Sequence, residues 1–146
     1  MSFSRSLGLI LVLLVAPAYS QVRNYNSISL SEDELKEYLV ISNELWAQLG
    51  KPPAPPYPTL SKRAGFYGPV EVLMQVDSKG KVVTSDSIKS ALYHPSLAPM
   101  AVNWCRTLKF PPIDTPDTQV RKFKLFVTFS KVGRVEVQPT LDGHFN

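Results

Sequence analysis

The stretch that most constrains the fold is Pro69–Val82, "PVEVLMQVDSKGKV". Val70, Val72, Met74 and Val76 alternate with Glu71, Leu73, Gln75 and Asp77, the period-2 pattern of a strand with one face on a core. "DSKGK" reverses the chain, with Gly80 where a positive φ is needed. Lys81–Ile88 returns as a second, more polar strand. "HPSLAPMAVNWCRTLKF" then predicts a helix with Ser96 as its cap and Pro99 in the first turn, where a missing N–H costs little. Met100, Trp104 and Leu108 share one face of it, with Val102 and Cys105 nearby. "VRKFKLFVTFS" alternates again: Phe123, Leu125, Val127 and Phe129 inward, Lys122, Lys124 and Thr128 outward. Phe126 breaks the outward polar face. A turn at "KVG" leads to "RVEVQP", a candidate fourth strand ended by Pro139. A hairpin, a later strand and helices on one face predict an α+β two-layer sandwich with a three- to four-stranded antiparallel sheet and two helices on one face.

The first twenty residues read as an export signal rather than fold material. Arg5 supplies the positive n-region, Leu7–Val15 the apolar core, and "APAYS" the small residues before a cut ahead of Gln21. Leu7–Tyr19 as a helix would reach about 20 Å, short of the roughly 30 Å hydrocarbon core of a bilayer. The alternative is a retained inner-membrane anchor. Residues 21–50 form an acidic segment in which "SISLSEDELKEYLVISNELWAQLG" predicts one amphipathic helix. Ser31 and Glu34 make a capping box, Leu30 and Leu35 a hydrophobic staple, and Gly50 a C-cap. "KPPAPPYP" follows, residues 51–58, a polyproline spacer about 25 Å long. "TLSKRAG" reads as a short helix after Pro58 ended by Gly65.

Charge is unevenly distributed over a chain of net +4: residues 21–50 carry −3, and Lys51 onward +6. The basic residues are scattered and the chain reads as exported, which argues against nucleic acid. Cys105 is the only cysteine, so no internal disulfide forms, and its expected role is a small buried apolar residue. His94 and His144 lack a second ligand at helical or hairpin spacing, so no metal site is expected. Asp114 and Asp117 fall in a proline-rich loop, where turn chemistry accounts for them. No nucleophile motif, phosphate loop or metalloprotease motif is present. Neither an enzyme nor a cofactor is expected.

The run from Tyr57 to Ser130, within an expected domain of residues 57–140, resembles the C-terminal domain of TonB-type proteins. The resemblance rests on Tyr57-Pro58, a short helix ended by Gly65, and Gly68-Pro69-Val70-Glu71-Val72. It continues through Asp77-Ser78-Lys79-Gly80-Lys81-Val82, the helix over Leu97–Leu108, Phe110-Pro111-Pro112 and the strand Val120–Phe129. Leu108 stands where the family often carries tryptophan, and Trp104, one turn earlier, can fill that volume. The resemblance implies a periplasmic module that takes a short extended peptide onto a sheet edge, as the family does with the plug-proximal segment of outer-membrane transporters. The implied edge is Val120–Ser130, with Lys122, Lys124, Phe126 and Thr128 as the partner-binding side chains.

The expected partner is therefore a protein or peptide of the envelope, such as a TonB-dependent outer-membrane receptor. Strand exchange between two copies stays open. Two features depart from the family's energy transducers. The apolar segment is too short to span, and a spacer of about 25 Å falls far short of a periplasm on the order of 200 Å across. If "RVEVQP" pairs with the Val120 strand, the family's edge is covered and binding must move. The remaining alternatives are an anchored transducer component, and a structural or inhibitor protein that uses the Leu35–Leu49 helix as its contact surface.

Overall fold

The computed structural model describes residues 30–88, 94–114, 116 and 119–138. Met1–Ser20, Asp117, Pro139 and His144, on which some of the expectations above rest, lie outside them. The elements run α1 (Glu32–Lys36), β1 (Leu39–Val40), α2 (Asn43–Gln48), α3 (Thr59–Arg63), β2 (Gly68–Val76), β3 (Val82–Ser87), α4 (Ala98–Cys105), β4 (Arg121–Phe129) and β5 (Val135–Gln138). The fold is α+β around one open sheet. That sheet has five strands rather than three or four: the order is β1-β4-β2-β3, with β5 also on β4. It is also mixed, because β1 pairs β4 in parallel while the other pairings are antiparallel.

β2 and β4 form the centre, in register from Gly68↔Phe129 to Val76↔Arg121. Their alternation points Val70, Val72, Met74 and Val76 to the same side as Phe123, Leu125, Val127 and Phe129, and all eight are buried. α4 covers this side with Ala98, Ala101, Val102 and Cys105. Burial pushes the Cys105 thiol far above its usual range, so it packs as a small apolar group. Ser85 of β3 is buried under α4 and donates to the Val102 carbonyl at 3.0 Å. Ser96 does not cap α4, whose N-cap residue is Leu97. Its hydroxyl instead meets Ser61 at 2.9 Å and His94 Nδ1 at 2.7 Å, with the His94 ring stacked on Phe66.

The acidic segment is two short helices, not one. Ser31 and Glu34 form the expected capping box. The helix stops after Lys36 because the next residues are drawn onto the sheet. Tyr38 accepts from Gln75 Nε2 at 3.4 Å, Leu39 and Val40 bridge β4, and Ile41 is fully buried in the core. Val40 and Ile41 are β-branched and favour extended backbone. Ser42 then caps α2, accepting from the Leu45 N–H at 3.1 Å. Leu45, Trp46 and Leu49 pack on the core, so the apolar face of the segment is spent on its own domain. The prolines that follow do not span solvent: Pro55 is buried, and Trp104 Nε1 donates to the Pro53 carbonyl at 3.0 Å.

The β2–β3 turn is locked by Asp77, whose Oδ1 accepts from the Lys79 and Lys81 N–H groups at 3.0 and 2.8 Å. Gly80 there has φ 89°, and a Cβ would sit 1.9 Å from the Phe110 carbonyl oxygen. The Phe110 N–H donates back to the Gly80 carbonyl at 2.9 Å, fastening the chain after α4 to the turn. Gly80→Ala therefore meets both strain and a backbone clash. It is expected to cost about 3 kcal/mol, read as a lower midpoint in urea unfolding at unchanged slope.

Candidate functional site

The sheet rims are where backbone hydrogen-bonding capacity is left over, and the structure distributes them differently from the sequence expectation. The outer edge of β4, expected to be free, is occupied by the chain itself. β1 takes its first half, Leu39↔Phe123 and Val40↔Lys124. β5 takes its second half, Phe126↔Gln138 to Phe129↔Val135. Sheet extension at Val120–Ser130 is thus blocked on both sides, since β2 fills the other edge.

Three rims remain unpaired among the described residues: the outer side of the two-residue β1, and the two longer ones along β5 and β3. In the β4–β5 hairpin the Ser130 N–H donates to the Arg134 carbonyl at 2.8 Å. Antiparallel alternation then turns Glu136 and Gln138 backbone groups toward β4, and those of Val135 and Val137 outward. On the far side, the Ile88 N–H donates to the Glu71 carbonyl at 3.0 Å, which turns the Ser85 and Ser87 backbone outward along β3. That rim is partly filled: Arg106 Nη2 donates to the Ser85 carbonyl at 3.3 Å. Phe110 and Lys109 lie against the β3 entry. β5 is the more open of the two.

The four side chains expected to select a partner share the sheet face opposite α4, but they are not a plain solvated row. Phe126 is only 9 % exposed, and the diagonal neighbour Leu73 on β2 only 2 %. Lys122 is ion-paired with Glu37, and its ammonium lies 5.7 Å from the centre of the Tyr38 ring. The hydrogen bond that Lys122 donates to Glu37 chiefly holds the Lys122 pKa above its ordinary value. Lys124 faces Leu73 across the β2–β4 pair, and Thr128 faces Pro69 on one side and Glu136 on the other. Sequence alternation placed these residues on one face correctly. It missed that Tyr38, arriving from the acidic segment, would land on it.

Burial raises the Glu71 carboxyl above its ordinary value, with Lys124 opposing the shift. A carboxyl with a raised folded-state value holds its proton more tightly folded than unfolded. Its effect on stability is therefore absent at low pH and becomes unfavourable as pH rises through the carboxylate range. No cluster of three or more His, Cys, Asp or Glu side chains is poised for a metal among the described residues. No helix among the described residues is long and apolar enough to cross a membrane. No protein-family model matches the chain, and neither does any curated protein or solved structure compared with it.

Two outcomes follow from this geometry. Glu71→Gln should raise stability at pH 7 by under about 1 kcal/mol, because the group is partly solvated, and change nothing near pH 3 in paired urea titrations. Hydrogen exchange should find the Leu39 and Val40 amides opening far faster than those of β2. β1 pairs over two residues only, and Leu39 is 63 % exposed.

Proposed function

We propose that the chain is a periplasmic binding module of TonB C-terminal type that takes an extended segment of an envelope or outer-membrane transport protein as an added strand. The docking edge in this reading is the outer rim of β5, Val135–Gln138, not β4. The observation that carries it is the pair of outward N–H and C=O sets at Val135 and Val137, which no strand engages among the described residues. Unpaired edges of this kind recruit strands, and main-chain bonds to them supply affinity largely independent of side-chain identity.

The order of elements supports the reading as well. A β2–β3 hairpin, a covering helix and a returning amphipathic strand occur in the sequence the TonB resemblance implies. Selectivity moves with the edge. Lys122, Lys124, Phe126 and Thr128 would act through the face they build beneath the rim, while Glu136, exposed on β5, would meet the partner directly. A TonB-dependent receptor's periplasmic N-terminal segment is the partner class this geometry fits. A role as an inhibitor gripping through residues 35–49 gains no support, because Leu45, Trp46 and Leu49 are already packed on the core; the anchored-transducer alternative rests on residues 1–20, outside the described residues.

Isotope-labelled protein titrated with synthetic peptides from such receptor segments should show saturable shifts at the Val135 and Val137 amides. Val137→Pro removes an outward donor from an edge strand, where proline is tolerated. It should weaken peptide binding about tenfold or more while leaving the melting temperature nearly unchanged. Shifts confined to β3, or full binding by Val137→Pro, would eliminate the β5 edge.

A further inference from the structure

At the end of the sheet where β2 turns into β3, the turn and the chain leaving α4 frame an open cleft of about 630 Å³. Its charged lining is Lys79, Lys81, Arg106 and Lys109, with no carboxylate. All four are exposed, and none is in an ion pair among the described residues. The one acid of the turn, Asp77, is committed to the Lys79 and Lys81 backbone N–H groups at 3.0 and 2.8 Å. It shapes the turn and sets one negative charge against the four cations.

Lys81 and Lys109 are direct partners in an antiparallel bridge, which brings two cationic residues to facing positions on the two segments. The backbone fixes this placement. Gly80 abuts the Phe110 carbonyl with no space for a Cβ, and the Phe110 N–H holds the Gly80 carbonyl at 2.9 Å. Arg106 is held too, through its bond to the Ser85 carbonyl at 3.3 Å. Four cations around a concavity of ligand size, with no carboxylate in its lining, form a site suited to negative charge.

We infer that this cleft binds a ligand carrying two or more phosphate groups close together. A single carboxylate or phosphate would leave most of the positive charge unmet, whereas adjacent phosphates match four cations on two facing segments. Such chemistry occurs both in soluble polyphosphates and in the headgroups of polyanionic lipids. The inference is independent of the β5 edge, which lies on the other side of the sheet.

The test has two arms, both at low salt, where exposed charges are least screened. In one, inorganic tripolyphosphate is titrated into the full chain by calorimetry, with orthophosphate as comparison. In the other, the chain is sedimented with phosphatidylcholine vesicles with and without cardiolipin. Binding in either arm is expected, and which arm binds identifies the source of the phosphates. Tripolyphosphate should bind at least tenfold more tightly than orthophosphate, and the double variant Lys81→Gln/Lys109→Gln should lose about tenfold or more.

Lys109→Glu provides a second readout. With one charge of the cleft reversed, it should abolish the rise in melting temperature that tripolyphosphate confers on the native chain. Binding in neither arm overturns the inference, as does binding undiminished in the double variant. Tighter binding of a poly-glutamate peptide than of tripolyphosphate would also overturn it, reassigning the cleft to acidic protein segments.

Discussion

The long antiparallel pairing of β2 with β4 is the interaction on which the other elements depend. Each strand is nine residues long, and the register runs without a break from Gly68↔Phe129 to Val76↔Arg121. Because side chains alternate strictly, that register puts eight apolar residues on one face. A slip of one position would turn Phe123 and Phe129 away from α4 and leave Lys122 and Lys124 facing the core. α4, Ile41 and the α2 side chains all pack on the surface this pairing creates. The pairing also leaves each strand one further edge. β3 takes that of β2, while β1 and β5 divide that of β4.

That division changes what the protein can do with its sheet. A free β4 would offer a nine-residue template, whereas the β5 rim offers two outward residues, Val135 and Val137, along a four-residue strand. Main-chain recognition there is shorter, so more of any selectivity must come from side chains at the rim. Covering β4 also protects the protein. A long, flat, exposed edge invites self-association, and short terminal strands are one of the ways natural sheets blunt it. β1 and β5 serve that purpose whether or not the remaining rim binds a partner.

The two ends and two faces of the sheet carry distinct chemistry. The face under α4 is apolar and closed. The opposite face mixes Phe126 and Leu73, both buried, with Glu71, Lys122 and Lys124, and receives Tyr38 and Glu37 from the acidic segment. The hairpin end gathers positive charge with no ion pair among the described residues, in contrast to Lys122, whose charge Glu37 answers. Residues 30–50 dock on the basic domain through that cross-element ion pair and through apolar packing.

The local pattern of the sequence determined the central elements by itself. Period-2 alternation located β2 and β4 and assigned their faces; Gly80 marked the turn, Pro58 and Gly65 bracketed α3, and the Ser31–Glu34 box started α1. Each of those signals acts within a few residues, through propensity, capping or a required φ. Tertiary structure decided the rest, because it depends on partners far apart in the chain. Residues 31–50 read as one helix, yet Tyr38 and Ile41 gain more from the sheet and core than a continuous helix could return. Phe126 read as an outlier on a wet face and is buried beside Leu73. The fate of the β4 edge could not be read locally either, since it is settled by Leu39–Val40 and Val135–Gln138, segments almost a hundred residues apart that converge on one strand.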